Sequence, residues 1–560
     1  RSVQERRDIL DITNVLYPDD SSYQGRQLRL IQEYFFVSAG LQTIVKHYLK
    51  QGLPLEKFHE KIAVHINDTH PALAVTELMR LLVDEHEVGW NKAWEITVKT
   101  MSYTNHTILQ EALEKWPIDM IAHVVPRIYQ IIIEIDDRFV KDWQGKIEDN
   151  LIWRTKIIQD DQVHMANLAI IGSHSVNGVA KIHSQLLKDV VLNDFYQLYP
   201  ERFNNKTNGI ALRRWLQLAN SELSALLDET IGNTWRFDHH QLKKLLDHQD
   251  DTRLLLALRE VKYKNKVRLA KYIKETQNVT VNPEAIFDVQ IKRLHAYKRQ
   301  LLNLLHIIKL YQDLKADPDL AIEPRVFIFG AKAAPSYYFA KSVIKVINEV
   351  AKLVNNDPDI KNKLKVVFLE NYNVTLAELI IPAADVSEQI SLASKEASGT
   401  SNMKLMANGA ITIATLDGAN IEIKDAVGEE HIIIFGLTKD EVYQQYREQN
   451  YHSWSVYNDN PDIKRVVDAL IDGTIPNIQR EGYEIYDSLI KYNDEYFVLL
   501  DFLPYVVAQE KVNDLYQDEK AWQKSSLINI ANGGEFSSDD TVKEYAEEIW
   551  GIEPGAKTRW

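Results

Sequence analysis

Five short apolar runs in the second half of the chain, residues 286–291, 326–329, 365–369, 410–415 and 432–435, alternate with helical stretches such as 301–314 and 337–354. Runs this short and this apolar read as strands buried on both faces, and a helix between successive strands is the connection that parallel pairing requires. The alternation predicts the α/β class, with a parallel sheet wound by helices on both faces. A chain of 560 residues is too long for one core, so at least two domains are expected.

The first half reads mostly helical, with apolar residues at three- and four-residue spacing over 28–48 and 71–85. Two runs interrupt it: 62–66, ending at Asn67-Asp68, and 96–101, ending at the TNH of 104–106. Both read as buried strands with polar residues at their ends, which is what open α/β sheets place around ligand crevices. The Asn- and Gly-rich stretch 203–214 suits a connecting loop. The charged helical stretch 242–274 reads as a surface excursion of the second domain.

Composition excludes several classes. There is no cysteine, so disulfide frameworks and thiolate sites are ruled out. A net charge of −15 argues against a chain that grips nucleic acid or an anionic membrane surface. It leaves room for a local basic pocket, which a few side chains determine. No apolar run is long enough to span a bilayer, and the first residues lack a secretory apolar core. The simplest compartment consistent with this is the cytoplasm. Adjacent histidines in FDHHQ, 237–241, read as solvated and not as a metal pair, so no metal is expected. No dinucleotide or Walker glycine spacing occurs.

One segment carries chemistry more plainly than the rest. Residues 396–423 read EASGTSNMKLMANGAITIATLDGANIEI, with Lys404 among small residues just before an apolar strand. A lysine presented by tight backbone suits Schiff-base chemistry or an anion grip; the plain alternative is a surface lysine beside a turn. The segment FDVQIKRLHAYKRQLLN, 287–303, places Lys292, Arg293, Lys298 and Arg299 directly after a strand, with His295 and Tyr297 among them. This is either a basic surface helix start or a phosphate pocket at a strand end. Three further motifs stand in the first 215 residues: HINDTHPALAVTELMR (65–80), SYTNHTILQEALEKWP (102–117), and the pair SHSVNGVAKIHS (173–184) and NNKTNGIALRRW (204–215).

Taken together and in this order, through EEIWGIEPGAKTRW at the C-terminus, these segments closely resemble the α-glucan phosphorylases, the glycogen, starch and maltodextrin phosphorylase family. The resemblance implies two facing Rossmann-like domains of the GT-B glycosyltransferase type. Residues 1–208 would be the remainder of the N-terminal domain. Residues 209–560 would be the cofactor-binding domain, with the last helix packing back on the first. It implies a retaining phosphorolysis of terminal α-1,4 links by orthophosphate, giving glucose 1-phosphate, in a cytoplasmic homodimer. Pyridoxal 5′-phosphate would be held covalently on Lys404, with Lys292, Thr400 and Tyr372 around it. Arg293 and Lys298 would serve the substrate phosphate and the phosphate pair. His106 and Asn208 would meet the glucosyl 6-hydroxyl, Val179 would wall the sugar, and Tyr297, Glu396, Ser398 and Gly399 would meet its other hydroxyls.

The sequence departs from the family pattern in three places. A glycine-rich loop expected well before the NDTHP segment is not found, so an incomplete first domain is expected. Ser401 stands where the family usually has Gly, and Asn373 where it has Arg. Two other readings stay open: a nucleotide-sugar glycosyltransferase of the same architecture, and a catalytically impaired glucan-binding protein.

Overall fold

The structure is a computed structural model describing residues 3–109 and 112–552. The chain divides into two compact units. The first comprises residues 1–206 with the segment from Lys543 onward, and the second residues 207–542.

In the first unit, strands β1 (Val64–Asn67), β2 (Met101–Thr104), β6 (Val176–Gly178) and β7 (Phe203–Asn205) form a parallel sheet in the order β1-β2-β6-β7. Between them in sequence, β3 (Lys115–Pro117), β4 (Ile158–Gln159) and β5 (Gln162–His164) make a small antiparallel sheet. Asp160 and Asp161 turn β4 into β5 with φ of 47° and 57°, a region short polar side chains tolerate. The long helix Tyr23–Lys50 starts where the Ser22 hydroxyl accepts the Gly25 N–H, and it buries Leu30, Leu41, Val45 and Tyr48. Pro126 opens the helix Pro126–Trp143, whose buried face is Ile128, Ile131, Ile132, Ile135 and Phe139.

The expected strand over 96–101 is corrected. Residues 96–100 are the last turns of the helix Trp90–Thr100, and the strand begins at Met101. Buried Ala93, Ile96, Thr97 and Thr100 have helical spacing, which the β-branched composition conceals. The segment after Lys543 packs within this unit. Tyr545 and Trp550 stack with an interplanar angle of 17°, and the Trp550 indole N–H donates to His65 Nδ1 at 3.0 Å. Lys206 Nζ pairs with Glu548 at 2.7 Å.

In the second unit, β8 (Ile286–Ile291), β9 (Arg325–Gly330), β10 (Leu364–Leu369), β11 (Val386–Gln389), β12 (Ile411–Ala414) and β13 (Ile433–Ile434) form a parallel sheet. The order is β10-β9-β8-β11-β12-β13, so the winding reverses between β8 and β11. The register there aligns Val386 with Asp288 and Ser387 with Val289. Helices cover both faces: Gln300–Ala316, Tyr338–Asn355 and Phe502–Gln517 on one, Thr252–Gln277, Val374–Ala383 and Glu519–Asn532 on the other. Thr252–Gln277 is no mere surface excursion, because Leu254, Leu255, Leu258, Leu269 and Ile273 are buried in the second face's core.

Strand β11 is invisible to apolar patterning because its sequence is VSEQ, although all four residues are buried. Its side-chain polar atoms have partners, apart from the buried Glu388 Oε2. Glu388 accepts from the Tyr505 hydroxyl at 3.0 Å and from Gln509 Nε2 at 2.7 Å. Burial and the neighbouring Asp288 carboxylate hold the Glu388 carboxyl well above its ordinary pKa. Among the described residues no helix is long and apolar enough to cross a membrane.

Candidate functional site

In a parallel sheet every strand C-terminus lies on the same edge, and crevices form where the winding reverses. Three segments that carry sequence-predicted site residues leave the second unit's sheet at that edge. Lys292 to Lys298 follow β8, Tyr372 follows β10, and Glu396 to Lys404 follow β11. Gly330 ends β9, and its carbonyl accepts the Lys292 N–H at 3.0 Å. A side chain at Gly330 would meet the Tyr372 ring at 3.2 Å, so the missing Cβ lets Tyr372 approach.

Lys298 Nζ lies 2.5 Å from Glu396 Oε2 and 4.8 Å from the Tyr297 ring centroid. The Tyr297 hydroxyl donates to Glu396 Oε1 at 3.5 Å. Burial opposes the Lys298 charge, but Glu396 and Tyr297 outweigh it and raise the lysine's pKa. The Glu396 carboxyl is likewise penalised by burial, yet Lys298 and Lys292 hold it below the usual range. Burial and the Glu396 carboxylate push Tyr297 up to about 12. Lys292 donates from Nζ to Gln389 Oε1 at 2.7 Å. Burial and the nearby Lys298 bring its pKa down to about 8. Burial and Lys298 also hold His295 neutral, with a pKa of about 4. The Arg293 side chain is exposed, and its carbonyl accepts from Gln300 Nε2 at 3.0 Å.

The loop 396–400 is shaped by Asp417, which follows β12. Its carboxylate accepts the Glu396 and Ser394 N–H groups and the Ser391 hydroxyl. Burial still lifts Asp417 to about 6. Gly399 has φ of +75°, the left-handed region where glycine is least strained. The Ser398 hydroxyl turns back to the Gly399 carbonyl at 2.8 Å. Thr400 caps the short helix Ser401–Ala407, in which Lys404 lies. Lys404 Nζ sits 4.1 Å from the Trp215 ring centroid, and burial with Arg214 nearby lowers its pKa. Asn208 is half-buried in the same unit, beside Thr207, whose hydroxyl donates to Glu422 at 2.7 Å.

His106 and Val179 belong to the first unit, just beyond the C-terminal ends of the neighbouring strands β2 and β6. His106 Nε2 shares a hydrogen bond of 2.6 Å with Asn67 Oδ1, and burial lowers its pKa. The buried Val179 donates its N–H to His183 Nδ1 at 3.0 Å. Three side chains in the second-unit cluster were given no role from sequence: Gln389, which lies outside every quoted motif, and Trp215 and Asp417, which lie inside two of them. His239, expected to be solvated, is buried and hydrogen-bonds Ser537 Oγ at 2.7 Å, while His240 pairs with Asp540. Among the described residues no cluster of His, Asp and Glu could hold a metal ion.

The family model described as carbohydrate phosphorylase matches residues 1–552. The chain belongs to the carbohydrate phosphorylase family. It is 52% identical over 557 residues to the glycogen phosphorylase of Bacillus subtilis, covering 98% of this chain and 69% of that protein. It is 49% identical to the glycogen phosphorylase of Pasteurella multocida, covering 99% and 68%. With the muscle form of glycogen phosphorylase from Oryctolagus cuniculus it shares 43% identity, covering 99% and 67%.

Proposed function

We propose that this chain is an α-glucan phosphorylase that transfers a terminal glucosyl residue from an α-1,4-glucan to orthophosphate, giving α-D-glucose 1-phosphate with retention. The observation that carries the reading is the convergence of Lys292, Arg293, Lys298 and Lys404 on one edge of the second unit's sheet, beside its switch point. The similarity to three glycogen phosphorylases over nearly the whole chain supports it. We read the two units as the paired Rossmann-like domains of the GT-B glycosyltransferases, and the enzyme as a cytoplasmic homodimer.

The residues fit pyridoxal 5′-phosphate. Lys404 lies over an indole face with its charge disfavoured, which enlarges the share of neutral, nucleophilic amine. The Tyr372 ring lies against Gly330, and Lys292 and Thr400 are the proposed phosphate partners. When bound, this cofactor supplies a phosphate that exchanges a proton with the orthophosphate substrate.

In the reaction the glucosyl C1–O4 bond breaks, an orthophosphate oxygen bonds to C1, and the orthophosphate proton moves to the departing O4. Two phosphates must share the pocket. At an effective dielectric of about 20, each pair of like unit charges ~5 Å apart costs roughly 3 kcal/mol. Lys292 and Lys298 offset that repulsion, and Arg293 offers the planar fork that suits a phosphate. Glu396, Ser398, Gly399, Tyr297 and Asn208 orient the glucosyl hydroxyls. His106, as a neutral imidazole, and Val179 are assigned to the 6-hydroxyl and the apolar wall of the sugar.

The test is the near-ultraviolet absorbance of the purified chain incubated with pyridoxal phosphate. The parent should show the band of the bound cofactor, and Lys404→Ala should lose it. A nucleotide-sugar glycosyltransferase would show no band in either protein. A glucan-binding protein without activity would show the band and release no glucose 1-phosphate from glycogen and orthophosphate.

A further inference from the structure

Strand β11 ends on Gln389, at the point where the sheet reverses its winding. The side chain is 3% exposed and bonded at both ends of its amide. Its oxygen accepts from Lys292 Nζ at 2.7 Å; its nitrogen donates to Ser387 Oγ at 3.1 Å and to Ser401 Oγ at 3.2 Å. An ammonium only donates, so the oxygen must face Lys292 and the nitrogen the two hydroxyls. Lys292 stands one residue beyond β8, and Ser401 is the first residue of the helix that contains Lys404. A single side chain thus spans the switch point and joins the cation after β8 to the Lys404 helix.

We propose that Gln389 is a positioning residue of the phosphate site: its neutral amide aims the Lys292 ammonium and ties it, through Ser401, to the helix of Lys404, without cancelling the charge that a phosphate needs. This rests on the phosphorylase reading above. The neutrality is the point. Lys298, a few residues away, is held by a carboxylate, Glu396, which shares its charge. A carboxylate at position 389 would form the same charge-assisted bond with Lys292 and compete with an incoming phosphate. An amide gives direction alone. The tether to the Lys404 helix needs the Ser401 hydroxyl, and the family pattern has glycine there, so the tether is a feature of this chain.

The experiment uses the full chain loaded with pyridoxal 5′-phosphate and compares the parent with Gln389→Glu, Gln389→Met and Ser401→Gly. Orthophosphate and a maltooligosaccharide are titrated separately by calorimetry, and the 31P resonance of the bound cofactor is recorded. Gln389→Glu preserves shape and the acceptor that Lys292 uses, while the Ser387 and Ser401 hydroxyls must turn to donate to it; it should weaken orthophosphate about tenfold or more, leave maltooligosaccharide within about twofold, and shift the 31P resonance. Gln389→Met should weaken orthophosphate less, because the charge survives without its direction. Ser401→Gly, the mildest change, should shift the resonance and weaken orthophosphate about two- to fivefold, and it carries the test if a Gln389 variant fails to fold. Orthophosphate binding within twofold of the parent in every folded variant overturns the proposal. Equal losses for orthophosphate and maltooligosaccharide overturn it too, since they would mark a general structural role. A parent that binds neither cofactor nor orthophosphate would instead sink the phosphorylase reading itself.

Discussion

Replacing Asp501 with alanine breaks an ion pair that closes the cationic loop from behind. Arg299 is 0% exposed and Asp501 1%, with NH1 and Oδ2 2.7 Å apart. Arg299 also donates from Nε to the Ile390 carbonyl at 2.8 Å, and Asp501 Oδ1 accepts the Leu437 N–H at 3.0 Å. Truncation strands a guanidinium charge in the core, at a cost of about 3–5 kcal/mol. It also leaves the Leu437 N–H without this acceptor, which adds about 1 kcal/mol. For a body of several hundred residues, roughly 1–2 °C of unfolding midpoint corresponds to each kcal/mol. The midpoint of Asp501→Ala should therefore fall by roughly 4–12 °C in scanning calorimetry at fixed scan rate and neutral pH. Arg299→Met combined with Asp501→Leu should recover most of that loss, because two apolar side chains leave no stranded charge. A fall below about 1 °C, or a double variant as damaged as the single one, would show that the pair is not carrying the energy assigned to it.

Three further outcomes are expected. Arg293→Ala should raise the KM for orthophosphate about tenfold and that for glucan less than about twofold, measured by initial rates of phosphorolysis; equal changes would remove Arg293 from the phosphate site. Lys292, brought down to about 8, is charged below that pH, so orthophosphate affinity should weaken as pH rises through about 8. In Lys292→Arg the weakening should move to higher pH, and an affinity of the parent that stays flat through this range would contradict the assignment. Burial and His174 hold His65 at about 4 against an ordinary 6.5, so the folded state takes up this proton later than the unfolded one. The stability it contributes is complete above pH 6.5 and is lost as pH falls toward 4. The midpoint should drop across that window, and His65→Gln should drop less steeply.

The second unit was the more legible part of the sequence because five of its strands are short, largely apolar runs separated by helical stretches. Its centre was hidden. Strand β11 pairs Glu388 Oε1 and Gln389 through Tyr505, Gln509 and Lys292, residues remote in sequence that patterning does not weigh. In the first unit, β6 and β7 are three-residue strands reading VNG and FNN, indistinguishable from loop composition. The lysines and arginine of 292–298 and Lys404 announced themselves by local chemistry, as did Glu396 through its motif. Gln389 did not, and Asp417 and Trp215, although inside quoted motifs, drew no role, because their roles exist only in contact: Gln389 meets Lys292 across 97 residues of chain. How Lys298 is balanced was equally unreadable, since its partner carboxylate arrives from the loop after β11.

The closing segment of the first unit has a consequence for how the protein is made. His65 is held by Trp550 and Tyr545, and Lys206 by Glu548, yet the whole second unit is synthesised in between. The part of the first unit before residue 207 leaves the ribosome ahead of the second unit but lacks part of its own packing until residues 543–552 appear. The second unit, contiguous in sequence, can complete itself first. Vectorial synthesis thus reverses the apparent order: the body that holds residues 3–206 waits on the second unit for two aromatic rings and one carboxylate.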